Sequence, residues 1–260
     1  MRGDLMANKR VMVGIARAVF VSGLVGLAAA CNSPTGPSSE ASVIYATAQE
    51  GTVLVAIDPG TGAASVVGSL NVPGAFVMAS RADGVFFTVT DSGFSPNPNA
   101  RLATVDPRTG SATVFGQPFG VYLRMMGLAF SNEGVLYGSS PITQSLYRMD
   151  LRTGLPELVG PFGANGVMDL AFDAAGTMYA NTQTAIYRVD QRTGTATLVT
   201  PVRGAQALMG ISFDANGSLY ATTFAAESEL HRIDMSTGSA TLVGRAGQSF
   251  VHSAEFARRR

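Results

Sequence analysis

One motif recurs five times along the chain, and its spacing constrains the fold more than any other feature. Each copy is a short apolar run followed by an aspartate and a tight turn that ends in glycine. The five copies are LVAIDPGTG (54–62), LATVDPRTG (102–110), LYRMDLRTG (146–154), IYRVDQRTG (186–194) and LHRIDMSTG (230–238). Their aspartates lie 48, 44, 40 and 44 residues apart. A period of this length indicates a supersecondary unit that buries its faces only against copies of itself.

The copy at 210–244, GISFDANGSLYATTFAAESELHRIDMSTGSATLVG, shows what one unit contains. Its short apolar and β-branched runs predict four strands, at 210–213, 219–222, 230–233 and 240–243. The sequences Asp-Ala-Asn-Gly and Asp-Met-Ser-Thr-Gly supply turns in which glycine takes positive φ and aspartate accepts backbone N–H groups. Four antiparallel strands in about forty residues predict one sheet that is too small to bury its faces alone.

The first copy and the chain end are each incomplete, and together they make one whole unit. The first copy has no first strand before Tyr45, whereas the chain ends with a first strand, VHSAEF (251–256), that no second strand follows. Pairing of this strand with 43–47 would close a ring and leave no open sheet edge. The sequence therefore predicts an all-β, five-bladed β-propeller over residues 42–256. Its blades are four-stranded and antiparallel, and pairing of the C-terminal strand with the N-terminal blade closes it. A β-solenoid or sandwich would need another period or none.

The repeats resemble those of bacterial secreted or lipoprotein β-propellers of the NHL, YVTN and gluconolactonase-like kinds. Two spaced patterns carry this resemblance. The first is GLAFD followed after two residues by G and, one residue later, by LYA. The second has L, ID, TG, T and VG in this order with one or two residues between them, as in the copies quoted above. These features specify a blade and no chemistry. The gluconolactonase-like resemblance implies a divalent metal held by Glu, Asn and Asp in the central channel, and a metal-dependent hydrolase of lactones as an alternative function. Those enzymes have six blades.

The N-terminal segment resembles a bacterial lipoprotein leader. Basic residues within the first ten positions precede an apolar run at 18–30, which ends directly before Cys31, the only cysteine in the sequence. The residues Leu-Ala-Ala-Ala-Cys resemble a lipobox, although leucine usually stands where Ala28 stands here. The apolar run is shorter than the roughly 20 residues that a membrane span needs. An ordinary secretory signal with an incidental cysteine, or a single span, is the alternative.

These features predict four segments: a lipoprotein signal peptide at 1–30, a Pro/Gly/Ser-rich tether at 31–41, the propeller at 42–256 and a basic tail at 257–260. We expect an exported monomer that a lipid on Cys31 anchors to the bacterial cell envelope, at the outer membrane or the cell surface. The chain has 18 basic and 18 acidic residues, and no lysine remains after residue 30. Binding of nucleic acid is therefore not expected.

The two faces of the predicted disc differ in sequence variability. The turns between strands one and two and between strands three and four are alike in every copy; we call their side the turn face. The connections between strands two and three and between blades differ in every copy, and we call the side that they share the variable face. Binding loops ride on a regular scaffold in this way. The sequence thus favours a scaffold that binds a protein, peptide or glycan partner over an enzyme.

Three phenylalanines on the variable face are candidate anchors for a partner if they are exposed; otherwise each plugs its own loop. They are Phe94, in an insertion at 91–100, and Phe119 and Phe162, in inter-blade segments.

Alignment of the blades also singles out a candidate site in the central channel. The predicted start of each inner strand carries Phe76, Met126, Met168, Met209 or His252. Near this ring of packing residues, Asp169 and Glu255 are polar exceptions at their positions in the repeat. Together with His252 they have the chemistry to hold a divalent metal or to act as an acid and base. A buried polar cluster satisfied by backbone and water is the alternative. No catalytic residue and no other cofactor is assigned.

Overall fold

The computed structural model describes residues 42–91 and 95–258, and its twenty strands form five four-stranded antiparallel sheets. The first blade contains β1 (Ser42–Ala48), β2 (Val53–Ile57) and β3 (Ala64–Ser69). The second contains β4 (Met78–Ser80), β5 (Phe86–Val89), β6 (Leu102–Val105) and β7 (Ala112–Val114). The third contains β8 (Gly127–Phe130), β9 (Leu136–Ser140), β10 (Ser145–Met149) and β11 (Pro156–Pro161).

The remaining blades repeat this order. The fourth contains β12 (Leu170–Phe172), β13 (Met178–Asn181), β14 (Ala185–Val189) and β15 (Ala196–Pro201). The fifth contains β16 (Leu208–Phe213), β17 (Leu219–Thr223), β18 (Glu229–Ile233) and β19 (Ala240–Arg245). The last strand, β20 (His252–Arg258), is the innermost strand of the first blade. Inner strands β4, β8, β12, β16 and β20 each contact the next and so form a ring of five.

The ring closes as the sequence predicts. Strand β20 pairs antiparallel with β1, and Tyr45 lies opposite Glu255. The pairing extends to Ser42 and Arg258, two residues beyond the predicted end of the propeller. Residues 257 and 258 therefore belong to the closing strand and not to a basic tail. The predicted five-bladed fold is confirmed, and it positions every site described below.

Each interface between neighbouring blades has its own apolar cluster, so that five clusters share the core. A pair of aromatic rings, 5.0 to 6.0 Å apart between centroids, joins the second strand of each blade to the next blade. The pairs are Tyr45–Phe86, Phe87–Phe130, Tyr137–Phe172, Tyr179–Phe213 and Tyr220–Phe256. Such contacts add to the free energy gained by burial alone.

Polar side chains also connect four of the five interfaces. Each lies two residues after the aromatic residue of a second strand and donates a hydrogen bond to a carbonyl at the start of the next blade's inner strand. The bonds are Thr47 to Phe76 (3.1 Å), Ser139 to Met168 (2.7 Å), Asn181 to Met209 (3.3 Å) and Thr222 to Ser253 (3.4 Å). The second blade has Val89 at this position, and Thr88 bonds within its own blade instead.

The predicted signal peptide, the tether with Cys31, and Phe94 lie outside the described residues. Within the part of the chain that the structure describes, no helix is long and apolar enough to cross a membrane.

Candidate functional site

A cleft on the variable face lies between the fourth and fifth blades. Its volume is about 1050 Å³, and three variable segments line it. They are the loop between β13 and β14, the connection from β15 to β16, and the loop between β17 and β18. Repeat comparison assigned all three segments to the variable face, and the structure brings them together around one concave surface.

Polar, charged and apolar side chains share the lining of this cleft. Glu227 and Glu229 line it, and Arg245 contacts both carboxylates, at 2.9 Å and 3.7 Å. His231, which is buried, lies 3.0 Å from Glu229. The Phe224 ring lines the same cleft and packs against Phe250, with 5.0 Å between ring centroids. The cleft therefore presents carboxylates, amides, the exposed guanidinium of Arg203 and one aromatic ring, which suits hydrogen-bonded recognition more than burial of a large apolar surface.

The two predicted anchors within the described residues are buried. Phe119 is 5% exposed and belongs to the core between the second and third blades, where Leu123 and Phe76 also lie. Phe162 is 0% exposed and belongs to the core between the third and fourth blades. Both residues follow the alternative given in the sequence analysis: each ring packs into the interface beneath its own segment and is not available as an exposed anchor. The exposed aromatic residue on this part of the variable face is Tyr122, at 73%, which the repeat comparison missed.

Asp169 is buried at the five-fold axis and is engaged by the backbone. Its Oδ1 accepts a hydrogen bond from Leu170 N–H (2.9 Å), and its Oδ2 accepts one from Ile211 N–H (3.1 Å) in the next blade. Burial raises the pKa of Asp169 well above its usual range, although these N–H groups oppose the rise. The carboxylate thus joins two inner strands.

His252 is also buried, among aromatic rings. Its imidazole lies 4.3 Å from the ring of Phe76 and 5.0 Å from that of Phe224, between centroids. Neither ring nitrogen has a hydrogen-bond partner among the described residues. Burial, together with the positive charge of Arg124, lowers the pKa of His252 to about 3, so the imidazole is neutral at physiological pH.

Glu255 lies in the middle of β20, three residues after His252, and contacts the second blade through Ser80. Ser80 Oγ donates a hydrogen bond to its Oε1 over 2.6 Å. Burial raises the pKa of Glu255 to about 7, while hydrogen bonds from Ser80 oppose the rise. Among the described residues no three His, Cys, Asp or Glu side chains are placed to hold a metal ion. The charge of Glu255 contributes to the raised pKa of Asp169, so these two carboxyl groups are near each other, but Asp169, His252 and Glu255 do not form a group placed to hold a metal ion.

The turn face also carries a cleft, of about 530 Å³, between the first and second blades. Ser80 lines it from the end of β4, Arg81 from the turn after β4, and Arg108 from the turn after β6. The interpretation of the repeats placed function on the variable face and missed this cleft. The signal was present in the sequence: Ser80 stands where the corresponding inner-strand positions have Phe130, Phe172, Phe213 and Phe256.

Together these observations define the class: the chain is a five-bladed β-propeller with clefts on both faces. No protein-family model matches the chain, and no curated protein matches it at a significant level. Its structure is similar to a chain of the nidogen–laminin complex, with a TM-score of 0.57 and 10% identity, over 83% of this chain and 98% of that one. It is also similar to a protein of unknown function from Bacteroides thetaiotaomicron, with a TM-score of 0.57 and 13% identity, over 81% and 64%.

A third similar structure is a symmetrical protein described for its de novo evolutionary emergence, with a TM-score of 0.54 and 17% identity, over 82% of this chain and 98% of that one. At these identities the similarity shows the fold alone, and function has to be argued from the clefts.

Proposed function

We propose that this protein is an exported, lipid-anchored binding propeller that recognises a protein, peptide or glycan partner through its variable face. The observation that carries the proposal is the cleft of about 1050 Å³ between the fourth and fifth blades, which three segments that differ from blade to blade line together. Loops held by a rigid scaffold commonly carry binding function.

The chemistry of the cleft supports a partner that presents hydrogen-bonding groups, since two carboxylates, two amides and Arg203 line it. The Glu227 side chain is 55% exposed, so part of its carboxylate surface remains accessible beside Arg245. Gln183 and Gln206 add amide groups to the lining. We do not propose a metal-dependent hydrolase, since the described residues include no group of three His, Cys, Asp or Glu side chains placed to hold a metal ion.

Site-specific photocross-linking tests the binding face. A photoreactive amino acid replaces Gln206, which is exposed in the cleft, and the matched control places it at Asn216, which is exposed in a turn on the opposite face. We expect one discrete adduct in envelope preparations from Gln206 alone, and its loss in Glu227→Arg. Equal adducts from both positions, or none from Gln206, would contradict the proposal.

The anchor is tested separately. Cys31→Ala should move the protein from the membrane fraction to the soluble fraction, because a thioether-linked lipid can no longer form. Cys31→Ser is the matched conservative variant and should behave in the same way. Retention of either variant on the membrane would refute lipidation and leave the binding proposal intact.

A further inference from the structure

The five-fold pattern is broken at one interface on the turn face, between the first and second blades. In four blades the inner strand carries a phenylalanine near the turn face, and its ring packs against the preceding blade. These residues are Phe130, Phe172, Phe213 and Phe256. The second blade has Ser80 there, and Phe86 from the adjacent strand contacts Tyr45 instead, with 5.0 Å between ring centroids.

The missing ring coincides with a cleft. The cleft of about 530 Å³ is lined by Ser80 itself, by Tyr45 and Phe86, and by Phe256 from the closing strand. This volume is within the range of small-molecule sites, about 300–1,000 Å³. Sequence and shape thus depart from the repeat at the same point.

A second exception meets the first. Glu255 stands where the other inner strands have Ala79, Ala129, Ala171 and Ser212, and it accepts the 2.6 Å hydrogen bond from Ser80. Four interfaces of this ring close with small residues at that position, so closure does not require a carboxyl group. A carboxyl placed in partly buried surroundings has a desolvation cost. Binding of a ligand therefore explains the Ser80–Glu255 pair better than a contribution to the stability of the fold does.

Two arginines lie at the rim of the cleft, Arg81 and Arg108, from the two turns of the second blade. Asp83 accepts hydrogen bonds from the Nε and Nη2 groups of Arg81, at 3.0 and 2.7 Å. Asp106 lies 3.4 Å from Nε of Arg108, whose side chain is 78% exposed. Neither Asp83 nor Asp106 lines the cleft. Planar guanidinium groups suit carboxylate and phosphate oxygens, which they bind with paired hydrogen bonds.

We propose that this cleft binds a small organic anion, whose carboxylate or phosphate lies against Arg81 and Arg108 and whose apolar body packs on Tyr45 and Phe256. Ser80 supplies a polar group to the lining of the cleft, and its hydrogen bond to Glu255 fixes the position of its hydroxyl. This site is independent of the partner site on the variable face, and either can exist without the other.

Binding of simple probes to the full chain, measured by isothermal titration calorimetry, tests the proposal. The probes are benzoate and phenyl phosphate, with neutral benzyl alcohol as the comparison. We expect one saturable site for at least one anion and at least tenfold weaker binding of benzyl alcohol. Arg108→Ala should weaken anion binding at least tenfold. The matched control Arg152→Ala, at the same turn position in the third blade, should not change it.

A second variant removes the cleft and keeps the fold. Ser80→Phe combined with Glu255→Ala installs residues found at these positions in other blades, so it should abolish anion binding without lowering the midpoint of unfolding. Should this double variant fail to fold, Arg108→Ala decides the question. Absence of saturable binding for both anions, equal binding of benzyl alcohol, or undiminished binding in a folded Ser80→Phe/Glu255→Ala variant or in Arg108→Ala would each overturn the proposal.

Discussion

The carboxylate of Asp169 in the fourth blade accepts a hydrogen bond from the main-chain N–H of Ile211 in the fifth blade, over 3.1 Å. Its other oxygen accepts the N–H of Leu170. The side chain of Asp169, which directly precedes β12, therefore joins this strand to β16 in addition to the packing between them. A residue that looked like a metal ligand or a catalytic acid in the sequence instead fixes the arrangement of two inner strands.

Replacement of Asp169 should destabilise the ring. Asp169→Ala leaves two buried N–H groups without an acceptor, so we expect a loss of about 2 kcal/mol in the free energy of unfolding at pH 5. Asp169→Asn keeps one carbonyl oxygen and should lose less. Denaturant titrations followed by fluorescence or circular dichroism measure both. An alanine variant as stable as the wild type would show that the contact with Ile211 is dispensable.

The Glu255 carboxyl should make stability depend on pH. Its pKa in the folded protein is about 7, above its ordinary value of 4.5, so folding favours the protonated form. The resulting stabilisation is complete below about pH 4.5 and is lost as the pH rises through 7. Glu255→Gln keeps an acceptor for Ser80 and cannot ionise. We expect the free energy of unfolding of the variant to rise relative to that of the wild type between pH 4.5 and 8. A difference in unfolding free energy that stays constant across this range would contradict the raised pKa.

Gly127 should be intolerant of a side chain. A Cβ atom there would lie 2.5 Å from the Cα atom of Asp169, because inner strands β8 and β12 approach closely at the axis. Backbone cannot yield as a flexible side chain can, so we expect Gly127→Ala to lower stability by about 3 kcal/mol. The matched control is Gly138→Ala in the same blade, whose nearest neighbour is the Met125 sulfur at 3.2 Å. Equal midpoints of unfolding for the two variants would show that the strands can separate.

The sequence predicts the architecture because the repeat carries it in local signals. The turn aspartates and glycines, the alternation of the strands and the incomplete first copy are each visible without coordinates. The predicted pairing of the chain end with 43–47 is therefore confirmed. The sequence predicts the limits of the strands less accurately, since β20 runs to Arg258, two residues beyond the predicted end of the propeller.

The site is harder to predict because burial and contact depend on neighbouring blades. Phe119 and Phe162 occupy loops, where exposure is the ordinary expectation, yet both enter the core. Asp169 and Glu255 are unusual residues at aligned positions, and alignment alone does not tell which blade each side chain faces. Alignment of the inner strands shows that Ser80 stands where the other blades have phenylalanine. The meaning of this difference depends on the distance to Glu255, which only the structure supplies.

The polar contacts between blades should contribute to stability one interface at a time. Thr47→Val removes the hydroxyl that bonds to Phe76 O across 3.1 Å and leaves that carbonyl without this donor. We expect a loss of about 1 kcal/mol in the free energy of unfolding. Thr113→Val is the control: the same substitution at an exposed position of strand β7 should change stability by less than about 0.5 kcal/mol. If the two variants lose the same amount, the contact does not hold the interface.

Closure of the ring by β20 should be required for a monomeric fold. Removal of residues 251–260 exposes the edge of β1, opens the contact between β16 and β20, and takes the Phe256 ring from Tyr220. An open edge next to an uncovered apolar face favours pairing with other chains. We therefore expect the truncated protein to lose its cooperative unfolding transition and to associate, as measured by circular dichroism and by light scattering after size-exclusion chromatography.

A synthetic peptide of residues 249–260 added in excess should restore the monomer, because it supplies the missing strand. Deletion of residues 259 and 260 alone is the control and should leave both measurements unchanged. A truncated chain that stays monomeric and unfolds at the wild-type midpoint would show that four complete blades and an open edge suffice.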